Sequence, residues 1–301
     1  MVYFLQQVVN GLQLGFVYAL IALGYTMVYG IVRLINFAHG DVFMIGSFAG
    51  FFAISALVGL GLGDVALFGV AVLVAMVVCV ILGVSIERIA YRPIRRAPKI
   101  ASLITAIGVS LFLENFASLK FVFGSNYRPF PRPFEPQPYD IGGVTITNIQ
   151  IIIFVVSMLL LALLQFIVNR TKIGMAMRAV SYDQDTARLM GINVDYVISV
   201  TFALGSALAG AGGVLYAIAY PQIQPFMGIM PGLKAFVAAV LGGIGVIPGA
   251  VLGALIMGQA ESLTTAYLSS TLRDAVAFGI LIVVLMVRPT GLLGRRAAEK
   301  V

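Results

Sequence analysis

The chain has 301 residues, of which 60% are hydrophobic and 10% charged, and its mean hydropathy is +1.04. That much apolar surface excludes a soluble globular domain, and continuous rather than alternating apolar runs exclude a β-barrel, so an all-α, polytopic helical membrane protein is expected. The net charge of +7 does not point to nucleic acid as a partner, because the basic residues flank hydrophobic runs.

About eight hydrophobic segments follow one another, at roughly 8–32, 42–62, 65–86, 101–123, 149–169, 194–218, 231–257 and 274–288. The first lacks a basic leader and stays apolar to about Ile31, so a cleavable signal peptide is not expected. Asn36-Phe37-Ala38-His39-Gly40-Asp41 interrupts the pattern before the second. Cys79, the single cysteine, lies inside the third, where packing or lipid exposure is expected and no disulfide can form within the chain.

Basic residues cluster at Arg88, Arg92, Arg95, Arg96 and Lys99, at Arg170, Lys172, Arg178 and Arg188, and at Arg288, Arg295, Arg296 and Lys300. By the positive-inside rule these three places are cytoplasmic. The connection 124–148 carries five prolines, which predict an extended, polyproline-like path on the external side.

The runs 194–218, 231–257 and 274–288 lead from one cytoplasmic cluster to another, which requires an even number of crossings. One of them is therefore broken or re-entrant. Segment 231–257 is the candidate, because Gly242, Gly243, Gly245 and Pro248 disrupt a helix, and non-helical backbone at membrane depth marks a protein-lined or wet site. If the Asn36–Asp41 interruption is the matching break in the first half, both termini are cytoplasmic; an external N-terminus with a spanning 42–62 is the alternative. Small-residue stripes at Gly11/Gly15, Gly59/Gly63 and Gly245/Gly249/Gly253 suit close helix packing or a subunit interface.

Polar residues in apolar runs are costly and are candidates for a translocation path, or else for caps and interhelical hydrogen bonds. They are Asn36, His39 and Asp41 with Gly40 between them, Glu114 and Asn115, Glu261 after the broken segment, and Asp274. His39 is the only histidine, too few for a histidine metal site. No HExxH, GxSxG or Walker A pattern is present, so an enzyme is not expected.

Thr171–Asp195 is a polar, basic island between two apolar runs. Asp183 is suited to cap a helix over Gln184–Met190 that Gly191 ends at C′. Ala187 and Met190, three apart, predict a small apolar ridge for a partner's groove, or an ordinary amphipathic loop helix.

RLINFAHGDVFMIGSF (33–48), IERIAYRPIRR (86–96), LITAIGVSLFLEN (103–115), GMAMRAVSYDQDTARLMGIN (174–193), MPGLKAFVAAVLGGIGVIPGAVLGALIMGQAE (230–261) and RPTGLLGR (288–295) resemble the smaller membrane subunit of high-affinity branched-chain amino acid ABC importers. The resemblance covers about residues 3–301, and its specific parts are NFAHGD and LGGIGVIPGA. The wider family includes permeases for urea, short amides and, more distantly, sugars.

The resemblance implies an ABC importer permease fold, with residues 1–301 as one transmembrane permease domain in the bacterial inner membrane. Its expected partners are a second homologous permease, two cytoplasmic ATPases that hold the ATP and Mg, and a periplasmic or extracellular substrate-binding protein. This chain itself would bind no cofactor. Segment 170–193 would couple to the ATPases through Gly174, Arg178, Ala179, Asp183, Ala187, Met190 and Gly191. Ala187-x3-Gly191 matches the Ala-x3-Gly element of importer coupling loops, with Asp185-Thr186 where an acidic residue often precedes the alanine. The path would be lined from among Asn36, His39, Gly40, Asp41, Glu114, Asn115, Gly242, Gly243, Gly245 and Glu261. Two other classes are an ion-coupled secondary transporter and an intramembrane enzyme using Ser47 or Ser110 near His39.

Overall fold

The computed structural model describes residues 1–61, 63–95 and 97–294. Leu62 of the second apolar run, Arg96, Arg295, Arg296 and Lys300 of the basic clusters, and the side chain of Lys99, lie outside the described residues. Eleven α-helices occur among them: α1 (Val2–Val32), α2 (His39–Leu57), α3 (Asp64–Ile86), α4 (Lys99–Ser118), α5 (Asn148–Arg170), α6 (Lys172–Tyr182), α7 (Gln184–Leu189), α8 (Val194–Ala219), α9 (Ile229–Gly242), α10 (Ile247–Tyr267) and α11 (Arg273–Val287). Short strands β1 (Arg128–Pro129), β2 (Pro138–Ile141), β3 (Val144–Thr147) and β4 (Gln222–Ile223) sit in the connections.

Two ends of the bundle are recognisable. At the basic end, Arg92 and Arg95 each pair with Asp195 at 2.6 Å, and Gln184 Nε2 donates to the Ile31 carbonyl at 3.2 Å. At the Pro-rich end, Gln6 exchanges two hydrogen bonds with the Thr145 backbone, and β1 pairs with β4. Helix α1 joins the two, so the N-terminus lies at the Pro-rich end, whereas Leu292 and Leu293 return to the carbonyls of Leu241 and Gly242 at the basic end. Of the two arrangements the sequence left open, the described residues follow the one with the N-terminus opposite the basic end and α2 crossing, and not the one with both termini on one side.

The physical reason is that the chain crosses at the first break, whereas at the second it turns back only after a complete pass. His39 lies against Gly24, eight residues before α1 ends, so α2 starts about 12 Å inside the basic end at 1.5 Å per residue. Residues 33–38 climb that distance and α2 completes the crossing. In the second half, segment 231–257 divides into α9 and α10. Helix α9 has 14 residues, about 21 Å, short of the roughly 30 Å hydrocarbon core. Residues 220–228 supply the rest. Helices α8, α9, α10 and α11 thus make four passes, the even number that the basic clusters require.

Helices α1, α8 and α10 form the buried centre, with α4, α5 and α11 outside. Glycine permits the closest approaches. A Cβ on Gly15 would sit 3.0 Å from the Leu255 Cα of α10, and one on Gly46 would sit 2.6 Å from the Gly210 Cα of α8. Cys79 fills the Gly46–Gly210 crossing and is core packing. Gly249 and Gly253 pack on Gly242 and Ala238, joining α9 to α10. The Gly59/Gly63 stripe is not a helix contact: both residues fall in the α2–α3 connection with open space around them.

The Pro-rich connection is extended only in part. From its last proline, Pro138, onward, β2 and β3 form a hairpin whose turn is Gly142-Gly143, at φ +64° and +86°. Two consecutive positive-φ glycines match the right-handed strand twist, and Asp140 Oδ1 accepts from the Gly143 amide at 2.7 Å.

Candidate translocation path and coupling element

The first turns of α2 and α9 meet inside the bundle. Gly40 faces Gly228 and Gly232, and a Cβ on Gly40 would lie 2.6 Å from the Gly228 carbonyl oxygen. Beside this contact is a cavity of about 220 Å³. Its polar wall is Asp41 with Ser110 and Glu114 of α4, and its apolar wall includes Tyr25, Phe37, Ile107, Leu111, Ile229 and Leu233. Ser110 Oγ donates to Asp41 Oδ2 at 2.5 Å, and the Glu114 carboxyl lies beside them on the same wall. Among the described lining residues there is no lysine or arginine, so the polar wall offers carboxyl oxygens to a cation or an ammonium group. Ser110 and Glu114 share a face because they are four apart on one helix.

The cavity gathers three of the ten expected path residues: Gly40, Asp41 and Glu114. Asn36 is buried but not part of the lining, accepting from the Tyr91 hydroxyl at 3.0 Å. His39 is buried against Gly24 and Tyr25, and its Nε2 has no partner among the described residues. Asn115, one position past Glu114, turns outward and donates to the Leu111 carbonyl of its own helix. Gly242, Gly243 and Gly245 form the α9–α10 turn at the basic end rather than the cavity wall. Gly243 and Gly245 hold φ +106° and +92°, and the turn abuts Gly30, Gly291 and Gly294.

Glu261 belongs to a separate buried ion network. Lys234 Nζ lies 2.7 Å from both Glu261 Oε1 and Asp274 Oδ1, Arg273 Nε lies 2.9 Å from Glu261, and the Tyr18 hydroxyl donates to Glu261 Oε2 at 2.8 Å. Lys234 and Glu261 are only 2% and 3% exposed. Two cations balance two carboxylates, which is what makes such burial tolerable. Lys234 and Tyr18 escaped the sequence reading, which weighed acidic and amide residues and His39; a lone lysine inside the 231–257 run was the available signal.

At the basic end, Asp183 Oδ1 accepts from the amides of Asp185 and Thr186 at 2.9 and 2.8 Å, capping α7. Gly191, at φ +83°, closes the helix: its amide donates to Arg188, and the Ile192 amide to Ala187. This pair is a Schellman ending. Helix α7 therefore stops at Leu189, with Met190 as its cap.

The expected Ala187/Met190 ridge divides, because Met190 has already left the helix. Ala187 is buried, while Leu189 and Met190 are 87% and 78% exposed. Gly174 sits under the Ile167 and Val168 carbonyls where a side chain would collide, Arg178 binds the Val168 carbonyl, and the Ala179 carbonyl accepts from the Asp183 amide. Gln184 connects this element to the end of α1.

Comparison with known proteins agrees with this architecture. The high-affinity branched-chain amino acid transport system permease protein LivH of Escherichia coli (strain K12) is 48% identical, over 99% of this chain and 98% of its own. The corresponding protein BraD of Pseudomonas aeruginosa is 47% identical over the same shares. The fructose import permease protein FrcC of Rhizobium meliloti is 32% identical over 35% of this chain and 31% of its own. The chain is a multi-pass protein of the inner membrane. Residues 7–285 match a family model described as the permease component of branched-chain amino acid transport systems, and the chain belongs to that family.

Proposed function

We propose that the chain is the permease subunit of an ATP-binding-cassette importer for leucine, isoleucine and valine, and that the cavity between α1, α2, α4 and α9 is its half of the path. The observation that carries this reading is a cavity with two carboxyls on one wall and aliphatic and aromatic residues on the other. A branched-chain amino acid has the matching halves: its ammonium faces Asp41 and Glu114, and its side chain faces Phe37, Ile107, Leu111 and Leu233. Ile107 and Leu111 belong to the exposed face of α4, which a second, homologous permease would cover.

The basic end is cytoplasmic and the hairpin end periplasmic on this reading. Two ATPases, which hold ATP and Mg, seat α7 through Leu189 and Met190. A periplasmic binding protein supplies affinity and docks at the hairpin end. Movement of α7 reaches the cavity by a short route: Gln184 holds the α1 end at Ile31, and residues 33–38 lead from there to Asp41.

The test is leucine uptake by the assembled importer carrying Glu114→Gln. Loss of a buried charged partner of the substrate, worth about 1.5–3 kcal/mol, predicts a fall of roughly ten- to a hundredfold with the same subunits co-purifying. Normal uptake would remove the cavity from the path.

A further inference from the structure

A second cleft, of about 260 Å³, opens at the basic end where α3 meets the start of α8. It is lined by Arg88, Arg92, Asn193, Asp195, Tyr196 and Ser199. After Ile86 the backbone of α3 widens into a π-helical turn, Glu87–Tyr91, that carries Arg88 to the rim. Arg88 has no ion pair or hydrogen bond among the described residues. Arg92 is paired with Asp195 yet half exposed. Asn193 caps α8 with its Oδ1, which leaves its amide hydrogens for the cleft.

Among the described residues, the charges at this space are accounted for by a few pairings. Asp195 is shared by Arg92 and Arg95, Glu87 is buried with Arg95 and Ser199, and Arg88 remains as the uncompensated positive charge. The cleft is also at the membrane surface. Val77 and Ile81 of α3 and Ile89 of the π-helical turn are exposed apolar side chains leading up to it, and the exposed Tyr196 ring stands beside it, as amphipathic aromatics do at headgroup level.

We infer that this cleft binds the phosphodiester headgroup of an anionic membrane phospholipid, with Arg88 as its principal ligand and Arg92 and the Asn193 amide beside it. Basic pockets between helices at the cytoplasmic surface recognise such headgroups by charge and by hydrogen-bond donors, while the acyl chains lie along the apolar flank. The exposed apolar run of α3 favours a lipid over free phosphate, which would use the arginines alone.

The experiment is native mass spectrometry of the full chain, extracted in mild detergent with its accompanying subunits and titrated with phosphatidylglycerol or phosphatidylcholine. Phosphatidylglycerol is expected to bind at least about fivefold better, and Arg88→Gln to remove that preference, as one arginine at a lipid surface allows. Lys172→Gln, an exposed charge at the same end, is expected to change nothing. Equal binding of both lipids, an equal loss with Lys172→Gln, or a preference that survives Arg88→Gln would overturn the inference. Displacement of bound phosphatidylglycerol by millimolar inorganic phosphate would overturn the lipid in favour of a free anion. Any of these outcomes leaves the transport reading untouched, because Arg88 lines neither the path nor the coupling element.

Discussion

Gln184 Nε2 and the Ile31 carbonyl, 153 positions apart in the chain, are 3.2 Å from each other. The bond joins the first residue of α7 to the last full turn of α1, just before the backbone leaves the helix toward Asp41. Gln184→Ala removes about 1 kcal/mol from this junction. Proteoliposomes of the assembled importer should then hydrolyse ATP at near the normal rate while taking up several-fold less leucine. Uptake and hydrolysis that stay coupled would show that force reaches the cavity by another route.

Helix α7 depends on its ending. Gly191→Ala places a side chain at φ +83°, where the left-handed conformation costs about 1–2 kcal/mol. Weaker retention of the ATPases on a tagged permease is expected, and Ala187→Glu, which forces a carboxylate into a buried site, should abolish it. Unchanged recovery of the ATPases with both variants would exclude α7 as the contact.

The meeting of the half-helices leaves no room for a side chain. Gly40→Val presses on the Gly228 carbonyl and the Gly232 backbone, so overpacking of about 1–3 kcal/mol is expected. A lower melting temperature in detergent would accompany the loss of uptake. Gly59→Val, in open space, serves as the comparison and should melt like the unaltered protein.

Lys234→Met leaves the buried Glu261 with only the half-exposed Arg273 as its cation. Breaking a buried pair costs roughly 3–5 kcal/mol, whereas replacing both partners with apolar residues of similar volume approaches neutrality. Lys234→Met should therefore express poorly and melt early, and Lys234→Met/Glu261→Met should recover most of the loss. A double variant no better than the single one would mean that Glu261 has a task beyond pairing.

Composition alone determined that the chain is a helical membrane bundle, because 60% hydrophobic residues in long runs have no soluble alternative. The α7 cap and its glycine ending were equally legible, since both are local hydrogen-bond patterns within a few residues. Parity along the chain exposed the break inside 231–257 but not its depth: Gly242–Gly245 turned out to serve a turn at the basic end. The hairpin at 138–147 was missed because the prolines running into it, up to Pro138, masked a Gly-Gly turn between alternating residues.

What only the tertiary structure decided is which polar residues meet. Asp41 and Ser110 are 69 positions apart, and Lys234 and Glu261 are 27 apart on different helices. Periodicity tells which residues share a face of one helix, but not the rotation or depth at which that helix packs. Glu114 and Asn115 are neighbours in sequence, yet the 100° turn between them puts one in the cavity and the other outside. Those rotations are set by glycine contacts such as Gly40 on Gly228, and close packing between distant segments is a property of the folded bundle rather than of any single segment.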